Sequence, residues 1–523
     1  YFKLPNAGLR AYFERVVRGQ PDEYRTTFYK GKSVDAILKG WDPYVKGLSS
    51  QWPTLVEFEN DLRSKVGPLS IMLPLEKRIE DIDSYYESIL LDSKPISREA
   101  IACVVDEFGS KIGGLRLRSQ KKTVEFMKKS TNSGSPYFVK RRDVVHLTYP
   151  CWSKHTDLHV YMHLNGTAWD GTAILGWRGQ EGGPEIDDVK QRVVWMFPFS
   201  VNIEELSLYQ PLIEGCQKNG LVPAWVSMDA VDQRITDLFD TKHPEDLIVC
   251  TDFSKFDQHF NADMQVAAKS ILESLVVPSD ESYRWLDQVF PIKYMIPLAY
   301  NWGEIRTGAH GMASGSGGTN ADETLVHRAL QYEAALSRKQ KLNRNSMCLG
   351  DDGILSYPGI TVSDVVHSYS AHGQEMNLDK QYASKHDCVY LRRWHHEDYR
   401  VNNVCVGVYS TYRALGRLAE QERFFSPDIW SKKMVALRQL SIIENCKYHP
   451  LREQFADYCM KGDKYRLGID IPGFLDDIES IAKEATDLMP DFLGYVKSMQ
   501  DDRDAGPAGI SNWWIVQYLK SKR

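Results

Sequence analysis

Two short apolar runs that each lead into aspartate constrain this chain more than any other feature. Leu247-Ile248-Val249-Cys250-Thr251 reads as a buried strand, and Asp252 closes it. About a hundred residues later, Met347-Cys348-Leu349 and Ile354-Leu355-Ser356-Tyr357 flank Gly350-Asp351-Asp352-Gly353, the pattern of a β-hairpin with acids at its turn. If these strands share a sheet, Asp252 and Asp351 converge at its edge. Two such carboxylates can bridge two Mg²⁺ ions roughly 3.5–4 Å apart, an arrangement that serves in-line phosphoryl displacement. Mg²⁺ suits that task because it accepts few carboxylates alongside substrate phosphates and waters. Gly and Asp also favour turns on their own account, so the tetrapeptide needs partners before it means chemistry.

Partners are present. In Asp252-Phe253-Ser254-Lys255-Phe256-Asp257 a second acid follows five positions after the first, placed to face the sugar of a nucleotide. Between the acidic segments lies Gly311-Met312-Ala313-Ser314-Gly315-Ser316-Gly317-Gly318-Thr319-Asn320, followed by a helix-like run from Ala321 to Leu336. Glycines let backbone approach a ligand closely, and Ser314 or Asn320 offers a polar group to a ribose hydroxyl. No Gly-Lys-Ser/Thr follows, which excludes a Walker-type phosphate loop.

The formal net charge of −6 argues against a nucleic-acid partner until its distribution is read. Lys111, Arg116, Arg118, Lys121, Lys122, Lys128, Lys129, Lys140, Arg141 and Arg142 fall in one window whose only acid is Glu125. Such a block can line a phosphate-binding groove or simply form a solvated face. The nine cysteines show no CxxC pair, which disfavours a zinc site or disulfide framework and favours a reducing compartment. No apolar run is long enough to span a membrane, and Tyr1-Phe2-Lys3-Leu4-Pro5 lacks the marks of a signal peptide.

The flanks are readable in outline. Residues 1 to about 130 are expected to be mostly helical, with Leu55-Val56-Glu57-Phe58 and Ile89-Leu90-Leu91 in amphipathic segments. Short strands are expected from about 140 to 200, including Asp143-Val144-Val145-His146-Leu147 and Arg192-Val193-Val194-Trp195-Met196-Phe197. Helices are expected over Met264–Val276 and Val362–His372, the latter stopped by Gly373. Beyond about 410 the chain reads as helical, broken by Pro427, Pro450, Pro472 and Pro490. A loop at Gly506-Pro507-Ala508-Gly509 then leads into a buried Trp513-Trp514. His395-His396 beside Glu397-Asp398 is expected to be a polar turn rather than a metal site, since adjacent histidines face opposite sides of a strand.

In order and spacing, DFSKFD, SGSGGTN and LGDD resemble motifs A, B and C of viral RNA-dependent RNA polymerases, picobirnavirus enzymes most of all and partitivirus enzymes next. The resemblance implies an α+β closed right hand, with an antiparallel palm sheet and a mainly helical thumb. It places an N-terminal region bridging fingers and thumb at 1–70, fingers at 71–240 and 261–305, palm at 241–260 and 306–395, and thumb with C-terminal tail at 396–523. Asp252 and Asp351 resemble the metal-binding aspartates, with Asp352 as their supporting partner, and the implied cofactor is a pair of Mg²⁺ ions, replaceable by Mn²⁺. Asp257 and Ser314, with Gly315, resemble the group that senses the ribose 2′-hydroxyl, and Thr319 matches the motif B threonine. One departure stands out: Glu323 occupies the place of the motif B asparagine, while Asn320 directly follows the threonine.

Further matches follow from the same resemblance. Arg178, Lys190 and Arg192 resemble motif F, whose cations meet the triphosphate, as charge neutralisation in phosphoryl transfer requires. Lys380 in Asn377-Leu378-Asp379-Lys380 resembles the motif D proton donor to pyrophosphate. Arg392 and Arg393 in Tyr390-Leu391-Arg392-Arg393-Trp394 resemble motif E, which supports the nascent strand. Ser133-Gly134-Ser135-Pro136 resembles motif G beside the incoming template, with Lys140, Arg141 and Arg142 following it. The implied partners are template and nascent RNA, ribonucleoside triphosphates and a capsid protein, with the enzyme working in the virion interior and host-cell cytoplasm on a double-stranded RNA genome. A deoxynucleotide polymerase is disfavoured by Asp257 with Ser314, which welcome a 2′-hydroxyl. A non-catalytic RNA-binding protein would leave the acids as mere turn residues.

Overall fold

The computed structural model describes residues 8–488 and 507–523. Its centre is a four-stranded antiparallel sheet in the order Met347–Leu349, Asp352–Leu355, Ile248–Thr251 and Tyr382–Ser384. Every residue of Ile248–Thr251 is buried, which explains why that strand reads as a continuous apolar run rather than an alternating one. Three helices pack with it in the largest apolar core: Arg98–Ile112, Ala262–Leu275 and Thr319–Ser337. Their starts are fixed locally. Ser97 caps the first by accepting from the Ala100 N–H at 3.1 Å, and Asn261 caps the second by accepting from Met264 at 3.1 Å.

Two further sheets lie to one side. Lys190–Met196, Ala173–Gln180, Leu298–Asn301 and Glu304–Arg306 form a mixed sheet, and Cys151–His155, Val160–Leu164 and Thr167–Gly171 form an antiparallel one. They share a core around Met162, Leu175, Trp195 and Val201. A small sheet of Asp387–Tyr390, Arg393–His396 and Val408–Tyr409 follows the central one.

The C-terminal fifth is mainly helical, from Thr411–Ala419 through Lys432–Glu444, Arg452–Lys461 and Ile478–Leu488 to Trp514–Lys522. The N-terminal helix Val34–Lys46 joins this body, and Pro53–Arg63 lies between it and the small sheet, with Leu55, Phe58 and Leu62 packing against Trp394 and Val408. Trp41 Nε1 donates to Thr411 Oγ1 at 2.8 Å, and the buried Glu59 accepts from the Thr411 N–H and from His449. Tyr24–Arg25 also pairs with Glu420–Gln421. The helix Gly8–Arg18 instead packs on Ile174 and Ala299 of the mixed sheet, so the N-terminal helices contact both that sheet and the helical body.

Four local expectations need correction. Asp143–Leu147 is no strand: Arg141–Asp143 is a 3₁₀ turn and Val145–Thr148 a short helix, because Val144 alone of the branched pair is buried. Ile89-Leu90-Leu91 ends a 3₁₀ turn with Leu90 82% exposed, so three apolar residues there serve no helix face. His395 and His396 lie in a strand, not a turn, with His395 fully buried and held by the Cys405 carbonyl. Pro507–Asn512 is a 3₁₀ segment, and the Trp513 and Trp514 that follow are half-buried against the helical body. The expectations at Pro490, Gly506 and the N-terminal pentapeptide lie outside the described residues.

Candidate active site

Register brings the acids together. Thr251 pairs with Gly353 and Leu349 with Asp352, so Asp252 leaves its strand beside the turn carrying Asp351. Asp252 and Asp351 are both exposed at that edge. Burial raises the Asp252 carboxyl above its usual range, Lys65 and Lys190 oppose the rise, and Asp351 adds to it. Gln381 clamps the backbone here: its Oε1 accepts from the Asp252 N–H at 2.7 Å, and its Nε2 donates to the Asp252 carbonyl at 2.9 Å. Asp352 turns the other way and accepts from the Leu391 N–H at 2.9 Å. Burial, then the charge of Asp351, pushes its carboxyl up to about 7.

The turn itself is braced from the helix Thr319–Ser337. Gly350 has φ +57°, which favours glycine. Its N–H donates to Thr324 Oγ1 at 2.9 Å, and its carbonyl accepts from His327 Nδ1 at 2.8 Å. A Cβ on Gly353 would sit 2.6 Å from the His327 ring. Burial depresses His327 to about 4, so the ring stays neutral in this role.

Among the described residues no group of three or more His, Cys, Asp or Glu side chains could cage an ion unaided. Two hard carboxylates at an open edge nonetheless fit Mg²⁺, which keeps waters and substrate phosphates in its coordination sphere.

Asp257 lies behind Asp252, after a turn in which Lys255 adopts φ +53°. Its carboxyl is in hydrogen-bond contact with that of Glu323, on the helix that follows the glycine-rich loop. Burial raises both acids, Glu323 further because Asp257 is beside it, which favours a proton shared between them. Ser314 Oγ accepts from the Trp195 N–H and donates to the Val193 carbonyl, both at 3.3 Å. Gly315 is obligatory, since a Cβ there would lie 1.6 Å from the Trp195 carbonyl oxygen. Thr319 Oγ1 closes the loop onto the Ala313 carbonyl at 2.9 Å. Asn320 points elsewhere, its Oδ1 accepting from Trp225 Nε1 at 2.8 Å.

The loop rests on a buried ionic network that sequence reasoning missed. Glu205 accepts from Ser316 Oγ and from the Gly317 N–H, and Asn202 Nδ2 donates to the Gly315 carbonyl at 3.2 Å. Behind them Lys293, wholly buried, pairs with Asp322 at 3.0 Å, and Asp322 also accepts from the Tyr209 and Tyr294 hydroxyls.

Cations approach from the mixed sheet. Arg178 pairs in register with Arg192 and Gln180 with Lys190, which puts Arg178, Lys190 and Arg192 on one face. Lys190 is depressed by burial, then by Lys65 and Arg392, while Asp252 opposes the shift. Arg192 acts on Asp257 electrostatically. Arg178 is engaged by Glu422 at 3.0 Å, and Arg392 by Glu181 at 3.5 Å. Although buried, Glu181 is held down at about 2 by Arg417 and Arg413. Lys380 is exposed next to Gln381 and acts on Asp252.

Two arginines are turned inward. Arg393 pairs with Asp232 at 3.0 Å and donates to the Gly407 carbonyl. Arg141 donates to Asn202 Oδ1 at 2.7 Å and lies over the Phe199 ring, with burial lowering it to about 10. Lys140 and Arg142 are exposed, whereas Ser133 and Gly134 are buried, the Ser133 hydroxyl accepting from the Val139 N–H.

The arrangement has close counterparts. The family model for viral RNA-dependent RNA polymerases matches residues 113–403. A protein of a human picobirnavirus (strain Human/Thailand/Hy005102/-), described as a potential RNA-dependent RNA polymerase, is 63% identical over 526 residues, covering 100% of this chain and 98% of its own. A crystal structure of the RNA-dependent RNA polymerase of a human picobirnavirus matches at 63% identity with a TM-score of 0.95, over 100% of this chain and 98% of that one. Its insertion-loop deletion mutant matches at 61% and 0.93 over the same shares. The chain therefore belongs to the viral RNA-dependent RNA polymerases.

Proposed function

We propose that this polymerase joins ribonucleotides on an RNA template by two-metal nucleotidyl transfer at Asp252 and Asp351, replicating and transcribing a viral double-stranded RNA genome. The observation that carries the reading is the strand register that sets Asp252 beside the Asp351 turn, with the face bearing Lys190 and Arg192 close by. Mg²⁺, or Mn²⁺ in its place, would activate the 3′-hydroxyl and neutralise the leaving phosphate.

The protein's own side chains do the rest. Lys190 and Arg192 receive the triphosphate, with Arg178 at the channel's outer end. Asp257, oriented by Glu323, accepts from the ribose 2′-hydroxyl, and Ser314 assists from the loop that Gly315 and Thr319 shape. Lys380 gives a proton to pyrophosphate. The Leu391-Arg392 turn meets the nascent strand, leaving Arg393 to hold that turn. The Ser133-Gly134 loop, with Lys140 and Arg142, guides the template.

In this reading the body is a closed right hand. Palm 241–260 and 306–395 lies between fingers 71–240 and 261–305 and a thumb from 396, and residues 1–70 span fingers and thumb. The enzyme works in the virion interior and in host cytoplasm, docked on capsid protein. Among the described residues no helix is long and apolar enough to cross a membrane.

The test is Mg²⁺-dependent ribonucleotide incorporation by wild type and Asp252→Ala. A loss of at least about a thousandfold, the several kcal/mol a metal clamp supplies, is expected with RNA affinity retained. A variant keeping more than a few per cent of activity removes Asp252 from metal binding.

A further inference from the structure

We propose that the outward face of the Cys151–His155, Val160–Leu164 and Thr167–Gly171 sheet is a second binding surface for single-stranded RNA, separate from the catalytic edge. The inference rests on the chain being an RNA polymerase but not on the metal reading. In these strands Cys151, Ser153, Val160, Met162 and Leu164 are buried, so the alternate residues face outward. Register aligns Trp152 with His163 and His163 with Ala168, and beside them Lys154 with Tyr161 and Tyr161 with Asp170.

Three of the six outward side chains are rings, those of Trp152, Tyr161 and His163. Trp152 is 39% exposed and Tyr161 36%. Trp152 and His163 stack at 4.2 Å with 11° between their planes. The Lys154 ammonium lies 5.8 Å from the Trp152 ring and 5.9 Å from that of Tyr161. Ala168, being small, leaves an open trough of about 510 Å³ beside the stack, bordered by Asp170. That is within the range of ligand-sized sites.

The chemistry selects the occupant. Flat rings accept any nucleobase by its π-face, and stacking combined with cations is how single strands are held without sequence preference. Lys154 supplies the charge for a phosphate. Asp170, an acceptor-only carboxylate, suits the amino edge of a base. Leu, Ile and Val are absent from the six outward positions, which argues against an apolar protein contact. The surroundings point the same way. Gln120 bonds both the Cys151 N–H and its carbonyl, which sets the helix Gln120–Glu125, with exposed Lys121 and Lys122, along the sheet edge. On the inner face Trp169 meets Tyr137 edge-on at 6.0 Å, next to the Ser133–Pro136 loop.

The test compares wild type with the Trp152→Ala/Tyr161→Ala double variant and, separately, Lys154→Glu. Fluorescence anisotropy measures binding of two oligouridines, one just long enough for the catalytic cleft and one several times longer. The double variant is expected to bind the long probe about tenfold more weakly, and Lys154→Glu to flatten its salt dependence. The short probe and nucleotide addition on a short template stay unchanged. In wild type, 4-thiouridine in the long probe crosslinks to peptides covering 152–163. Should the double variant not fold, the Lys154→Glu salt slope and the wild-type crosslinks decide the matter alone. Unchanged long-probe affinity in folded variants, or crosslinks that avoid 152–163, overturns the proposal. So does a change of oligomeric state without a change in RNA affinity, which gives the face to a second copy of the chain.

Discussion

Lys293→Met removes the cation on which the glycine-rich loop ultimately rests. The ammonium is wholly buried, 3.0 Å from a wholly buried Asp322, and burial depresses its pKa. It donates to the Phe290 carbonyl at 2.7 Å and lies over the Phe290 ring at 3.7 Å. Methionine keeps most of that aromatic packing, so the change isolates the charge. Asp322 retains two tyrosine hydroxyls and Glu205 retains Ser316 and the Gly317 N–H, but both lose the ammonium that faces them. Breaking a buried pair by removing one partner costs about 3–5 kcal/mol. At ~2.1 cal/mol/K per residue the whole chain gives ~1.1 kcal/mol/K, so the thermal midpoint should fall by about 3–5 °C. The deficit narrows as pH falls, because Glu205, which burial raises and Lys293 opposes, takes up a proton more readily without that cation and the cost of its charge disappears. Incorporation should fall alongside, since Ser314 and Gly315 share the loop. Differential scanning calorimetry at two pH values checks this. A midpoint shift under about 1 °C would refute the idea that the pair bears on the loop.

Other perturbations separate the remaining parts. Asp257→Ala should raise deoxynucleotide relative to ribonucleotide incorporation about ten- to a hundredfold, the worth of a hydrogen bond to a charged group; an unchanged ratio defeats sugar sensing. Glu323→Gln, which mimics the protonated acid, should retain most ribonucleotide selectivity, whereas Glu323→Ala should lose it, and equal behaviour of the two denies the shared proton. Glu420, pushed up to about 9 by burial and by Glu23, contributes stability that is full below its unfolded value and fades as pH rises toward 9. Glu420→Gln should therefore stabilise the chain at pH 8 by about 1–3 kcal/mol, read from urea melts, and no gain there contradicts a buried, protonated Glu420. With Asp352 near 7 before metal arrives, Mg²⁺ binding at neutral pH should release protons, and Asp352→Asn should release fewer; calorimetry in buffers of different ionisation enthalpy reads this directly.

The convergence of Asp252 and Asp351 was legible because its signals are local. An apolar strand ending in Asp252, a Gly-Asp turn and a glycine-rich loop each need only a few consecutive residues, and their order supplied the rest. Glu323 stood out in sequence only as a departure from the motif, and the structure gives it Asp257 for a partner. Gln381, His327, Glu205 and Lys293 stayed invisible, because single polar residues on helices and turns read as solvated until a distant segment covers them. Long-range contacts also reassign charges that sequence placed on RNA. Arg393 meets Asp232 and Arg141 meets Asn202, so both spend their donors inside the protein. Secondary structure failed where propensity met tertiary demand, as at Val144 and Val145, whose branched side chains favour a strand that no neighbouring strand completes.

The most direct measurement is synthesis of labelled RNA on a short single-stranded template with Mg²⁺, with and without primer, by wild type and Asp351→Ala. Template-length product from wild type alone is the predicted result. Equal product from both proteins, or none from either while both bind RNA alike, contradicts a metal-dependent transfer at Asp252 and Asp351.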